Sequence, residues 1–442
     1  MKNRLLIIVI FVLGLRVWAQ NPIVPPGMYI ADPEAHVWND DKLYIYGSRD
    51  ESADYWCSYD YHVLSTSDMI HWNIDENSFS SKGTNDQVAS NDKLLFAPDC
   101  AYKNGTYYLY YCSPGNKHGE GVATSKSPNG PFVNGTDIEG AYQIDPAVFI
   151  DDDGQGYYFW GQGKPKVAKL SDDMKSIDTT SISYPLEDTA AKYFHEGTSI
   201  RKIGNTYYMV FADESRNSTP SSLGYATSSS PTGPYIYKGI IIDNISCDPN
   251  VWNNHGSIEE FNGQWYVFYH RSTHGTKLFR KACVEPITIN QDGTIDEVEM
   301  TSQGAADPLN AFNHIQAEWA CKLGGHARVE DYKEKDLWYG KLSKIQNNDW
   351  AAYKYINFEN GVSKFNIKTI GSSSGGKVEI WATAVDNGKL LGTCIIEPDD
   401  NKSSYNISSC EIKKIRGVHA VYLKFKGTDG NLFEIDWFSF NK

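Results

Sequence analysis

The sequence predicts an all-β chain: a five-bladed β-propeller followed by a β-sandwich of the jelly-roll kind. Three observations predict it. A turn rich in Gly, Asn or Asp followed by an aromatic strand recurs as "DKLYIYGS" at Asp41, "NGTYYLYYC" at Asn104, "GQGYYFWG" at Gly154, "GNTYYMVFA" at Gly204 and "NGQWYVFYH" at Asn262. A spacing of about 50 to 60 residues marks a repeat architecture. Apolar segments precede and follow most copies, so each unit holds three or four antiparallel strands, with little helical periodicity. The pattern then breaks over residues 290–313, and six strand-like runs follow at short spacing, as in a sandwich.

Five small sheets of one design, arranged radially, cover one another and leave only short edges. The competing arrangement is one large sandwich with tyrosine-rich hairpins. The 29 tyrosines and 12 tryptophans mostly suit half-buried pleated surfaces, and the remainder are free to stack on sugar rings.

Before the first blade, "MKNRLLIIVIFVLGLRVWAQ" sets Lys2 and Arg4 ahead of an apolar run and ends near the small residue Ala19. That is the pattern of a signal peptide over residues 1–19, and the run is short for a membrane span. The expectation is an exported protein, periplasmic or extracellular, with no membrane insertion. A formal charge of −14 argues against nucleic acid or an anionic surface as partner and fits a neutral polysaccharide or oligosaccharide substrate. The eight cysteines show no metal-type CxxC spacing. Cys100 with Cys112, flanking the Asn104-Gly105 turn, and Cys394 with Cys410 are candidate pairs; buried free thiols are the alternative.

Each blade begins on an innermost strand that converges on a central channel. Asp32 in "ADPEAHVW" heads blade one, and Asp145 in "IDPAVFID" repeats the Asp-Pro at the same place in blade three. Glu196 in "HEGTSIRK" stands at the corresponding position of blade four. An isolated Asp-Pro is usually a turn starter. Three carboxylates at equivalent positions instead point into one funnel, where crowding and desolvation drive their pKa values apart. Such a split supplies one acid and one base, the pair that glycosidic cleavage needs.

These segments, with "HGSIEEFNGQWYVFYHR", resemble glycoside hydrolase family 43, whose fold is the five-bladed propeller. The likeness runs over residues 21–297. It implies Asp32 as general base, Glu196 as general acid and Asp145 as the carboxylate that orients the acid and raises its pKa. Asp32 would activate a water on one face of the sugar while Glu196 protonates the leaving oxygen on the other. That geometry inverts the anomer, with the carboxyls about 6.5–9.5 Å apart. The resemblance places His255 on the propeller axis beneath the site, near a possible calcium or water, and makes Arg271 the arginine that bonds sugar hydroxyls. Phe96 in "LLFAPDC" stands where the family usually has Trp, and Trp56, Tyr55 and Phe96 are candidate pocket walls. No metal is expected in the chemistry itself.

After a linker at residues 298–313, residues 314–442 resemble carbohydrate-binding module family 6 through "IQAEWA", "NNDWAAYKYINF", "GGKVEIWA" and "GNLFEIDWFSF". This implies a structural calcium with Gln316, Glu318 and Asp436 as ligands, and sugar contact through Asn431 and Tyr339. The resulting expectation is a secreted inverting exo-glycosidase that removes α-L-arabinofuranose from plant polysaccharide such as arabinoxylan. β-Xylosidase or β-galactofuranosidase activity by the same chemistry is the alternative. A non-catalytic carbohydrate-binding protein and a sugar-transferring enzyme are the readings from other classes.

Overall fold

A computed structural model of the chain describes residues 17–18, 20–88, 92–114, 119–216, 219–249, 251–371, 374–399, 405–428 and 430–442. The expected leader lies outside the described residues except for Val17–Trp18, which pair antiparallel with His71 and Trp72 at the outer edge of the first sheet.

The chain from Ile30 to Ile287 folds into five antiparallel sheets, each following the chain outward from an inner strand. The inner strands are Ile30–Val37, Asp99–Lys103, Ala147–Ile150, Phe194–Ile203 and Ser257–Phe261. Each touches the next in sequence, and the last touches the first, so they ring one axis. Tight turns at Asn104-Gly105 and Asn262-Gly263, all four residues at positive φ, give the reversal that Asn-Gly hairpins favour.

What holds the ring is packing between faces. Blade one meets blade two through Tyr46, Phe79 and Tyr111. Blades two and three share Tyr110, Tyr158 and Trp160, and blades three and four share Phe159, Phe194 and Phe211. Tyr208 and Tyr225 of blade four pack with Val267 and Tyr269 of blade five. Closure comes from Ile30, Leu43 and Trp72 of blade one against Phe268 and Val284 of blade five. The segment before blade one fastens this seam: Ile23 N donates to Ala282 O at 2.9 Å, and the Asn21 side chain exchanges hydrogen bonds with Val284.

Polar groups fill the axis. His36 Nε2 donates to Asp99 Oδ1 at 2.7 Å, and Val148 N donates to Asp99 Oδ2 at 2.6 Å. Arg201 donates to Glu34 and to Glu259, each at 2.8 Å, and Ser199 Oγ donates to Glu34 at 2.9 Å. Every blade contributes to this network. Burial pushes the Glu34 and Asp99 carboxyls up to about 7 and the His36 imidazole down to about 4. The ligand atoms of Glu34, His36 and Asp99 lie within 4.8 Å of one another, but the Arg201 guanidinium supplies the positive charge there.

The C-terminal sandwich stacks two six-stranded sheets over a core that includes Tyr353, Phe365, Leu423 and Phe438. The stretch expected as a polar linker is well anchored. Val298 bridges Ile242 of blade four, Thr301 donates to Glu285 of blade five, and Leu309–Asn310 pair with Ile356 and Asn357 of the sandwich. Cys321 and Ala352 enter the core between blades four and five, so the sandwich is packed onto the propeller.

All eight cysteines are free thiols. In the hairpin register Cys100 faces Leu109 and Cys112 faces Glu120, so Cys100 and Cys112 do not meet across it. Cys394 and Cys410 do lie against each other at the edges of the two sandwich sheets.

Candidate active site

Asp32, Asp145 and Glu196 come together at one end of the axis, in a recess of about 130 Å³ that Trp56, Phe96, Gln162, Trp252, Asn253, His255 and Arg280 also line. The three carboxylates are only 5–8% exposed. Local backbone irregularity aims two of them. Strand pairing in blade one slips between Ala31 and Glu34, where Asp32 and Pro33 bulge, and in blade four it slips on both sides of Glu196. A bulge re-aims the side chain it carries. Asp32 and Asp145 adopt φ of 53° and 60°, a left-handed conformation that non-glycine residues rarely hold outside functional sites. The repeated Asp-Pro is therefore also a repeat of backbone shape.

Each carboxylate has a different setting. Arg280 Nη1 donates to Asp32 Oδ1 at 2.8 Å, Ser48 Oγ donates to Oδ2, and His255 and His270 stand 3.6 and 3.5 Å from Oδ1. Burial pushes the Asp32 carboxyl up, but Arg280, the two histidines and Ser48 outweigh it and hold it at about 2. Asp145 has no such donor, and its buried Oδ2 is unpartnered. Burial, then the negative charges of Glu196 and Asp32, push its carboxyl well above the usual range. Glu196 accepts from Gln162 Nε2 and Asn253 Nδ2, each at 2.7 Å. The recess thus sets Asp32, held acidic by its cationic partners, opposite Asp145, whose surroundings favour the protonated form. Carboxyls with opposed proton affinities across one recess are equipped for acid–base work.

His255, expected on the axis beneath the site, lines the recess itself. Its ring packs over Gly197, at φ +70°, where a Cβ would stand 2.6 Å from the imidazole, and its Nδ1 faces Asp32. Phe96 and Trp56 form walls, while Tyr55 is exposed and bonds Glu51.

Arg271 requires correction. It is buried away from the recess, donating to Tyr269 Oη and Thr301 O at 2.6 Å. Alternation along the strand explains this: His270 accepts a hydrogen bond from Asp32 N at 3.1 Å, so residues 269 and 271 face the opposite side. The arginine of the recess is Arg280, in the next loop. Its other nitrogens grip Asp50 at 2.8–2.9 Å, and its guanidinium lies 4.7 Å from the Trp56 ring centre. Sequence reasoning also missed Gln162, Trp252 and Asn253. "WNNHG" at Trp252 was the available signal, since two of them share that short run with His255.

In the sandwich, pairing of Ile315–Gln316 with Trp437 and Phe438 sets Gln316 beside Asp436. Glu318 is buried with an unpartnered Oε2, and Asp436 is among the charges acting on it. Asp436 also pairs with Lys368 Nζ at 2.6 Å. Tyr339 is exposed and stacks on Tyr332 with ring centres 5.6 Å apart. Asn431 is exposed, outside the surface recess that Tyr332, Tyr405, Lys341 and Glu434 line.

The chain matches "Glycosyl hydrolases family 43" over residues 19–295 and "Carbohydrate binding module (family 6)" over residues 316–442. It is 31% identical to a xylosidase/arabinosidase of Thermoclostridium stercorarium, over 92% of this chain and 96% of that one. It is 29% identical to an arabinoxylan arabinofuranohydrolase of Bacillus subtilis, over 96% and 92% of the two. A crystal structure of a family 43 arabinoxylan arabinofuranohydrolase from Bacillus subtilis, in complex with cellotetraose, superposes with a TM-score of 0.55 at 27% identity, covering 96% of this chain and 99% of that one. Two domains matched end to end, with the acidic recess inside the first, make the chain a member of glycosyl hydrolase family 43 with a C-terminal family 6 carbohydrate-binding module, and so a glycoside hydrolase.

Proposed function

We propose that the protein is an exported, inverting exo-glycosidase that removes terminal α-L-arabinofuranose from plant cell-wall polysaccharide such as arabinoxylan. The observation that carries this reading is the recess itself: a small space, walled by Trp56, Phe96 and Trp252, with carboxyls whose proton affinities are shifted in opposite directions at its base. Such a space takes one terminal sugar ring rather than a running chain. The names of the relatives from Thermoclostridium stercorarium and Bacillus subtilis support arabinose, and the first supports xylose as the second choice.

In this mechanism Asp32, kept ionised by Arg280, accepts a proton from the attacking water. Glu196, positioned by Gln162 and Asn253, donates a proton to the leaving oxygen. Asp145, whose carboxyl burial and its acidic neighbours push well above the usual range, stands beside Glu196 as the group that orients the acid. The flat walls of Trp56 and Trp252 suit the apolar faces of a sugar.

In the sandwich, Gln316, Glu318 and Asp436 offer the oxygen donors calcium prefers, and the orphaned Glu318 Oε2 fits such an ion. Calcium there would brace the sandwich, remote from the reacting carboxylates. The patch at Tyr332 and Tyr405 is the better place for glycan contact than Tyr339 paired with Asn431.

The test is proton NMR of the anomeric signals during digestion of arabinoxylan, beside Asp32→Asn. Free arabinose of inverted configuration, with the variant inactive, supports the reading. A retained product overturns the role given to Asp32. Release of xylose from xylosides, with arabinoxylan untouched, replaces arabinose while leaving the carboxylates in place.

A further inference from the structure

Arg280 is the strongest polar partner of Asp32, and it ends a loop, residues 272–280, that Thr273 Oγ1 ties across by donating to Phe279 O at 2.8 Å but that also leans on its neighbours. His274 and Phe279 both sit at positive φ, 65° and 51°. These are conformations a bulky residue holds only when its surroundings impose them. The propeller supplies part of those surroundings, through Tyr29 against the His274 and Phe279 rings and Asp248 accepting from Gly275 N at 2.8 Å; the sandwich supplies the rest. His274 N donates to Val329 O at 2.8 Å, and Asp331 N donates to His274 Nε2 at 3.0 Å. Directly after Arg280, Lys281 Nζ forms an ion pair with Asp331 Oδ2 at 2.7 Å, with both side chains 0–2% exposed. Gly27 N, from the segment leading into blade one, donates to the same oxygen at 2.7 Å. Asp331 therefore gathers three pieces of the propeller: the start of the loop, its end, and the approach to the strand that carries Asp32.

We propose that Asp331 of the carbohydrate-binding module is a positioning residue for the catalytic site: it fixes loop 272–280 so that Arg280 meets Asp32. The proposal rests on the reading of Asp32 as the base, and it assigns the module a task separate from glycan binding. A buried Lys–Asp pair across a domain boundary costs desolvation and is weak ground for stability alone. What it does supply is a single register between the domains. Lys277, on the same loop, lies 5.2 and 4.9 Å from the Trp56 and Trp252 ring centres, so a displaced loop would disturb both walls of the recess as well.

The experiment uses the full chain with Asp331→Asn, the charge-neutral double variant Lys281→Met/Asp331→Asn, and Glu299→Gln. Glu299 ties the connector to Lys354 of the sandwich, in the same domain junction but away from the loop. Two readouts are taken on protein that melts cooperatively: kcat and KM on aryl α-L-arabinofuranoside and aryl β-xyloside, and amide hydrogen exchange of the peptide spanning residues 272–281. The expected result is a fall in kcat of about tenfold or more, with KM within about twofold, and clearly faster exchange in that peptide for both Asp331 variants. Glu299→Gln should change neither. Unchanged exchange in the Asp331 variants overturns the proposal, as does an equal effect from Glu299→Gln. If the wild type cleaves neither aryl glycoside, the functional reading fails by itself, and exchange alone decides whether Asp331 orders the loop. The double variant guards against a stranded Lys281 charge, since it removes both members of the pair.

Discussion

Arg280 Nη1 donates to Asp32 Oδ1 across 2.8 Å while the same guanidinium grips Asp50. One cation thus bridges the inner strand of blade one and the end of its neighbour, and it opposes the burial that would otherwise raise the Asp32 carboxyl. Replacing it with Gln leaves burial unopposed by its main counter-charge. For Arg280→Gln we expect the acid limb of the kcat/KM profile to move up by about one pH unit or more, with about a hundredfold lower activity at the optimum. Arg280→Lys should recover only part of this, because a single ammonium cannot span both aspartates. A profile that keeps its acid limb would separate Asp32 from that limb.

Glu196 as the acid makes a prediction about leaving groups. Glu196→Gln should lose about 10²–10⁴-fold on arabinoxylan, whose leaving oxygen needs a proton. On 4-nitrophenyl α-L-arabinofuranoside, whose leaving group departs as a stable phenolate, the loss should be far smaller. Asp32→Asn should lose equally on both. Steady-state rates on the two substrates distinguish the roles.

Gly197 has no room for a Cβ, because the His255 ring lies over it, and its φ of +70° disfavours any other residue. Gly197→Ala should cost about 1–3 kcal/mol from the backbone alone, and more if His255 is displaced. Since His255 Nδ1 faces Asp32, activity should fall along with the melting temperature, which calorimetry and rates can read together.

Glu120 offers a test of stability against pH. It is 1% exposed, Tyr158 donates to it at 2.6 Å, and burial pushes its carboxyl up to about 8. The folded protein keeps this proton to about pH 8, whereas the unfolded chain releases it near the ordinary value of 4.5. Between those values the folded state binds more protons, so stability falls as pH rises, by up to about 1.4 kcal/mol per unit from this group. Glu120→Gln removes this group's share of the slope. Urea unfolding from pH 5 to 9 should show the variant gaining on the wild type until about pH 8 and then holding its advantage.

The three carboxylates were legible because the repeat marks equivalent positions, and two of them share an Asp-Pro whose unusual φ the structure then displays. The hairpins were legible from Asn-Gly turns. Arg280 was not, because its loop acquires a place only when blade five closes on blade one and the sandwich docks, relations that no local pattern encodes. Arg271 attracted attention through its motif, yet strand alternation against His270 turns it toward Tyr269 and Thr301. Cys100 and Cys112 flank a turn, but the hairpin register offsets them. Residue chemistry was readable in all of these; what was not was the register of a strand for Arg271 and the cysteines, and tertiary closure for Arg280.

The axial network of Glu34, His36, Asp99, Arg201 and Glu259 bears on how the propeller comes apart. A ring of similar sheets invites fraying one unit at a time, as in linear repeat arrays. Here, peeling blade four away would strand Glu34 and Glu259 without their guanidinium, and peeling blade one would leave Arg201 with half its partners. Losing blade one, two, four or five thus takes a charged member out of this network, a cost that couples the opening of those sheets to one another.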